Sequence, residues 1–194
     1  MIGHRLTACI LLMIAAGVSP AASAQGRPDS AALMAAQREA MTRLAFLHGV
    51  WRGPAVSTLP SGDTHTITQT ERIGRFLDGS VTVIEGRGYE PDGKVGFNAL
   101  AIVSYGPDTR AYSMRSYALG NVGDFVFTLT PEGFAWEIPA GPMTLRYTAV
   151  VKNGTWHEVG DRIAPGKEPV RFFDMTLARV GDTDWPAAGA ISPK

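Results

Sequence analysis

The spacing of hydrophobic and polar positions changes character once along the chain. From 31 to 47 (AALMAAQREAMTRLAFL), strong helix formers carry Leu33, Met34, Met41, Leu44 and Leu47 at near-helical spacing. The pattern predicts one short amphipathic helical segment over 31–48, with Asp29 or Ser30 as N-cap and Gly49 as its stop. After Trp51 that spacing disappears. Short runs rich in Val, Ile, Thr, Tyr and Phe take over, recurring about every ten residues. Between them lie turn signals: Pro60-Ser61-Gly62-Asp63, Asp78-Gly79, Pro91-Asp92-Gly93, Gly106-Pro107-Asp108, Pro131-Glu132-Gly133, Gly141-Pro142, Asn153-Gly154 and Ala164-Pro165-Gly166. Proline pre-sets φ and glycine accepts positive φ, so each can reverse the chain, and Asn153-Gly154 predicts a type I′ hairpin.

Strands are accordingly expected near 49–58, 65–74, 79–89, 95–105, 110–118, 122–130, 133–139, 142–152, 154–162 and 169–180. Consecutive hairpins with no helix between them describe an all-β meander. A sheet of that length is stabilised by closing on itself, which removes its edges. The prediction is an antiparallel up-and-down barrel of about ten strands, over 49–180, preceded by a short helix. Such a barrel holds either packed side chains or one small ligand. Residues 181–194, rich in Pro, Ala and Gly, are expected to form a loose tail apart from Trp185.

The N-terminus reads as targeting. His4 and Arg5 precede an apolar run, Ala8 to Val18, that is too short to span a bilayer but suits a signal core. Ser19 and Pro20 break it, and Ala22-Ser23-Ala24 gives a small-x-small cleavage pattern. A signal peptide over 1–24, cleavage before Gln25 and a leader over 25–30 are therefore expected. The protein would then be exported to the periplasm or beyond, with no stable membrane anchor after cleavage. Cys9 lies inside that signal and is the sole cysteine, so residues 25–194 have no thiol. Thiolate catalysis, thiolate metal sites and disulfides are excluded for them. They carry 17 Lys+Arg against 18 Asp+Glu, a balance that gives no electrostatic reason to expect nucleic acid. Oligomeric state is not legible.

Leu44-Ala45-Phe46-Leu47-His48-Gly49-Val50-Trp51-Arg52-Gly53 has the form Leu-x-Phe-Leu-x-Gly-x-Trp-x-Gly. It resembles the opening of lipocalin-like (calycin) barrels, in which a short helix leads into Gly-x-Trp and the Trp plugs the barrel base. More of the chain, roughly 40–180, is similar to a bacterial family known as domain of unknown function 1579. The matching features are Glu71-Arg72-Ile73-Gly74, Leu77-Asp78-Gly79, Ile84-Glu85-Gly86, Val103-Ser104-Tyr105, Trp156-His157-Glu158 and Phe173-Asp174-Met175-Thr176-Leu177-Ala178-Arg179. The resemblance implies a ten-stranded barrel of lipocalin or fatty-acid-binding type and no particular activity. The opening also resembles nitrobindin, a haem barrel with a proximal histidine near the C-terminal strands. Val170 to Val180 holds no histidine, so haem is disfavoured and no cofactor is expected.

Several residues could carry chemistry. Glu71 shares a strand face with Ile67 and Ile73, and Glu85 shares one with Val81 and Val83. A carboxylate on an apolar face pairs with a buried Arg or meets a ligand, and Arg115 and Arg146 are the mid-strand partners on offer. Arg115, Tyr117, Arg146 and Tyr147 together would grip the carboxylate of an amphipathic acid. His157 and Glu158 adjoin on one strand and so point to opposite faces. The shared face of Trp156 and Glu158 favours Glu158 inside. Trp51, Tyr105, Trp136 and Met175 are core or lining positions. The three scattered histidines left after the signal have no metal-ligand spacing, and no serine sits in a Gly-x-Ser-x-Gly elbow. A binding barrel for a small apolar or amphipathic molecule is thus expected. An enzyme using an interior Glu, His or Arg, and a closed structural module, are the alternatives.

Overall fold

The computed structural model describes residues 29–186. The expected signal peptide, 25–28 of the leader and 187–194 of the tail lie outside the described residues. Ten antiparallel strands close into one barrel: β1 (Gly49–Thr58), β2 (Thr64–Phe76), β3 (Val81–Tyr89), β4 (Val95–Gly106), β5 (Ala111–Ala118), β6 (Asn121–Thr130), β7 (Gly133–Ala140), β8 (Met143–Lys152), β9 (Thr155–Ile163) and β10 (Val170–Gly181). Every strand pairs with its neighbours in sequence, and β1 closes the sheet against β10. Each predicted strand is present to within two residues at either end.

The turns follow from local chemistry. Asn153 and Gly154 both take positive φ between the paired residues Lys152 and Thr155, the geometry a type I′ hairpin requires. Leu119-Gly120 turns in the same way between Ala118 and Asn121, although no sequence signal marked it beyond the glycine.

Helix α1 (Ser30–Thr42) starts at Asp29, whose carboxylate accepts from the Ala31 and Ala32 amides. It is shorter than the 31–48 segment expected. After Arg43 the chain tightens into a 3-10 turn, Ala45–Leu47, because Leu44, Leu47 and Trp51 must all enter the barrel base within a few residues. Leu33, Gln37, Ala40 and Met41 face the barrel, while Met34 stays exposed. The Gln37 amide donates to the Tyr105 carbonyl (3.0 Å), and the Tyr112 hydroxyl donates to the Ala40 carbonyl (2.7 Å). α1 therefore caps the end where β1 begins and β10 finishes. Among the described residues, the opposite end is bounded by short turns alone.

The core fills the capped half. Trp51, Ile73, Val103, Met114, Phe127, Phe134, Ala149, Trp156 and Leu177 are all buried there, beneath Leu44 and Leu47. The Trp51 indole N–H donates to the Leu47 carbonyl (2.8 Å), and its ring meets Trp156 edge-on at 5.9 Å. Trp51 plugs the base as the Gly-x-Trp opening implied. The short tail past β10 is held by Trp185, which packs edge-on to Phe76 (5.6 Å) outside the barrel, against Gly74.

Candidate functional site

Toward the uncapped end the interior loosens. Ile67, Phe97, Phe125, Trp136, Tyr147 and Phe173 point inward yet are only half-buried, so solvent reaches between them. At the boundary between packed and open halves stand two carboxyl groups. Glu71, on β2, is 9% exposed, and Glu158, on β9, is 6% exposed.

Each has a donor from its own strand face. The Gln69 amide donates to one oxygen of Glu71 at 2.7 Å. The Trp156 and Trp136 indoles donate to the two oxygens of Glu158 at 3.0 and 3.1 Å. No donor among the described residues reaches the second oxygen of Glu71. Among those residues no fully buried side-chain nitrogen or oxygen lacks a partner, so that atom opens onto the interior space.

Room for this arrangement is made by glycine. A methyl group at Gly86, directly across from Glu71, would lie 2.8 Å and 3.0 Å from the Glu71 oxygens and 3.1 Å from the Gln69 nitrogen. Gly88 clears the space beside Gln69 and Phe97. Gly86-Arg87-Gly88 pairs with β2 without interruption, and the irregularity on β3 comes only after Gly88. On the far wall Gly160 leaves space for Phe172, Phe173 and Tyr147. Tyr147 stacks on Trp136 at 4.3 Å, and a register shift in β10 brings both Phe172 and Phe173 edge-on to it, at 5.6 and 5.8 Å.

With no cation bonded to them among the described residues, burial dominates the carboxyls. It pushes Glu71 up to about 8; the Gln69 hydrogen bond opposes this, and the charges of Glu158 and Glu85 add to it. Burial likewise pushes Glu158 up to about 7, against the two indole donors. Tyr147 rises to about 12 through burial and the charge of Glu158, with Arg162 opposing. Arg162 stands at the mouth, donating to the Thr58 carbonyl (3.2 Å) with its guanidinium 4.8 Å from the Phe172 ring centre.

Five of the sequence candidates lie on the outside. Glu85 pairs with Arg87 on its own strand at 2.7 Å. Arg115 binds Asp124 at 2.8 Å with Tyr117 beside it, and Arg146 binds Glu137 at 2.6 Å. His157 meets Asp174 at 3.2 Å. The arginine pairs join residues directly opposite in register (Arg115 with Asp124, Glu137 with Arg146), so they fix strand alignment from the solvent face. The expected interior partnership of Glu71 and Glu85 with Arg115 and Arg146 does not exist.

The misplacement of Glu85 has a physical cause. The inner face of β3 is Thr82, Ile84, Gly86 and Gly88, so the more apolar valine face is the outer one. Of the remaining candidates, Trp51, Trp156 and Met175 belong to the packed half, and Tyr105 lies under α1 against Tyr112 (5.0 Å). Glu71, Trp136, Tyr147 and Glu158 are brought together. Sequence reasoning missed Gln69, although it shares parity with Ile67 and Glu71, and it missed Arg162 and Phe172.

Among the described residues no group of three or more His, Cys, Asp or Glu side chains is placed to hold a metal. Two surface hollows, of about 450 and 500 Å³, lie along β1–β3 and at the β4–β6 rim; neither includes Glu71 or Glu158.

The fold defines a closed up-and-down β-barrel with one end capped by a helix. It is similar to the crystal structure of Rv2717c from M. tuberculosis, with a TM-score of 0.54 and 11% sequence identity over 72% of this chain and 96% of that one. At that identity the likeness is one of fold alone. No family model matches this chain, and no curated protein matches it.

Proposed function

We propose that the protein binds a small, largely apolar or amphipathic molecule in the open half of its barrel, its polar end directed to the Glu71–Glu158 floor. One observation carries this reading: the interior is packed at one end only. Inward-facing aromatic and aliphatic side chains that stay half-buried lack contacts that a packed core would give them, and an apolar guest restores those contacts. The two carboxyls at the floor supply orientation, as the few polar groups of an apolar pocket do. Export ahead of binding, and membership of the domain of unknown function 1579 group of lipocalin-like barrels, are part of the same proposal and rest on the sequence.

A second reading, acid–base catalysis on a bound hydrophobic substrate, is favoured by one feature. Both carboxyls change protonation near neutral pH, where a general acid or base is most effective. Against it, no histidine among the described residues stands at the carboxyls: His157 is outside, His65 is bound to Glu90 at the rim, and His48 meets Thr82 at the capped end. Binding is therefore the stronger conclusion.

The test is a native mass spectrum of protein purified from the exported fraction, before and after organic extraction. A mass above that of the polypeptide, lost on extraction, is the expected result and gives the mass of the guest. A bare polypeptide that also leaves the fluorescence of an added apolar dye unchanged would overturn the binding reading.

A further inference from the structure

The polar groups at the floor of the open half are acidic or neutral. Inward-facing residues there offer two carboxyls, an amide and a phenol, and among the described residues no Lys, Arg or His bonds to the carboxyls; Arg162 is held at the mouth by the Thr58 carbonyl and the Phe172 ring. Glu158 has both oxygens engaged by indoles, which leaves Glu71 with the open oxygen, in a side chain more than nine-tenths buried. In the same half the rings of Phe125, Trp136, Tyr147 and Phe173 pack on one another, and Trp136 reaches Glu158.

We infer that the guest is an organic cation: a primary or secondary amine on an apolar body, its ammonium seated against the free oxygen of Glu71 and its body among the aromatic rings. This rests on the binding reading above. Two features select the class. An ammonium answers an unpaired buried carboxylate with a charge-assisted hydrogen bond, roughly twice as strong as a neutral one. Aromatic rings add the attraction of a cation to their π faces. A carboxylate-bearing guest would instead place a third acid beside Glu71 and Glu158.

Proton balance gives the proposal a signature. At pH 7 Glu71 is mainly protonated, so an incoming ammonium displaces that proton to solvent and leaves an ion pair. Binding therefore releases up to one proton and strengthens as pH rises towards 8. The groups that set this titration are Gln69 on the same strand, Glu85 on β3 and Glu158 on β9; beyond Glu158, its charge raises the Tyr147 phenol and Arg162 opposes that rise.

The experiment uses three probes with one body: 4-phenylbutylamine, 4-phenylbutanol and 4-phenylbutyrate, titrated calorimetrically at pH 7 in two buffers of different ionisation enthalpy. The amine is expected to bind at least tenfold tighter than the alcohol, with the butyrate weakest, and to release close to one proton where the alcohol releases none. In Glu71→Gln the amine-to-alcohol ratio falls to near one, while Glu137→Gln, on the outer wall, keeps it. Circular dichroism and urea midpoints verify that both variants are folded. Equal binding of amine and alcohol would overturn the cation and leave the binding barrel standing. So would tighter binding of the butyrate, or amine binding without proton release. No binding of any probe would remove both readings.

Discussion

At the scale of single residues, the barrel's interior carboxyls set how stability depends on pH. Glu71 and Glu158 hold their protons in the folded state up to about 8 and 7, whereas in the unfolded chain they lose them near 4.5. Between those limits the folded state binds more protons than the unfolded one. Stability must then fall as pH rises, by up to about 1.4 kcal/mol per pH unit for each proton by which the two states differ. Urea midpoints should accordingly decrease from pH 5 to pH 8. In Glu71→Gln, whose amide oxygen can still accept from Gln69, that slope should lessen and stability at pH 8 should exceed that of the natural protein. An unchanged slope would place the titration elsewhere. Glu158→Gln is a poorer probe, because one of its two indole donors would face an NH₂ group.

At the scale of elements, β3 shows how a strand's inner face can be built from absence. Gly86→Ala adds a methyl at 2.8 Å from a Glu71 oxygen. It should force the Glu71 and Gln69 side chains into the open half at a cost of about 1–3 kcal/mol, as overpacking elsewhere does. Chemical denaturation measures the cost, and loss of amine binding would accompany it. A fully stable Gly86→Ala would show that the interior has slack at that height. The same glycines explain what the sequence could and could not reveal. Strand limits were legible because turns need Gly, Pro, Asn or Asp at fixed places. The inward sense of Glu158 was legible from Trp156, two residues away. On β3 the inner positions Gly86 and Gly88 carry no hydrophobic signal, while Val81 and Val83 outside carry a strong one, so Glu85 read as interior. Arg115 and Arg146 misled for a related reason. Their partners, Asp124 and Glu137, lie on neighbouring strands, and only the register places them opposite one another. The ending of α1 at Thr42 was hidden because the residues beyond it are still good helix formers.

At the scale of the whole molecule, the two ends of the barrel divide the work. The capped end carries the packing: Trp51 bound to Leu47, Tyr112 bound to α1, and the aromatic cluster of Phe127, Phe134 and Trp156. The uncapped end carries the space, bounded by short turns and dotted with exposed apolar side chains such as Leu59, Leu119, Val122 and Val170. On the binding reading a guest enters there, since α1 and Trp51 obstruct the other end.

The closing of β1 against β10 has a consequence for how the chain can be cut and rejoined. All pairings but that one join sequence neighbours, so the order of strands around the ring has no privileged starting point. A circular permutant that links the end of β10 to the start of α1 and opens the chain at Gly141-Pro142 keeps every ladder. It changes the β10–β1 seam from the most distant contact in the sequence to a local one, and makes β7–β8 the distant one instead. Because closing a distant contact costs loop entropy before any contact rewards it, the last seam to form should move with the cut. Hydrogen exchange read during refolding should show β1–β10 protected late in the natural order and β7–β8 late in the permutant. Late protection of β1–β10 in both would show that the seam itself, rather than chain order, sets the pace.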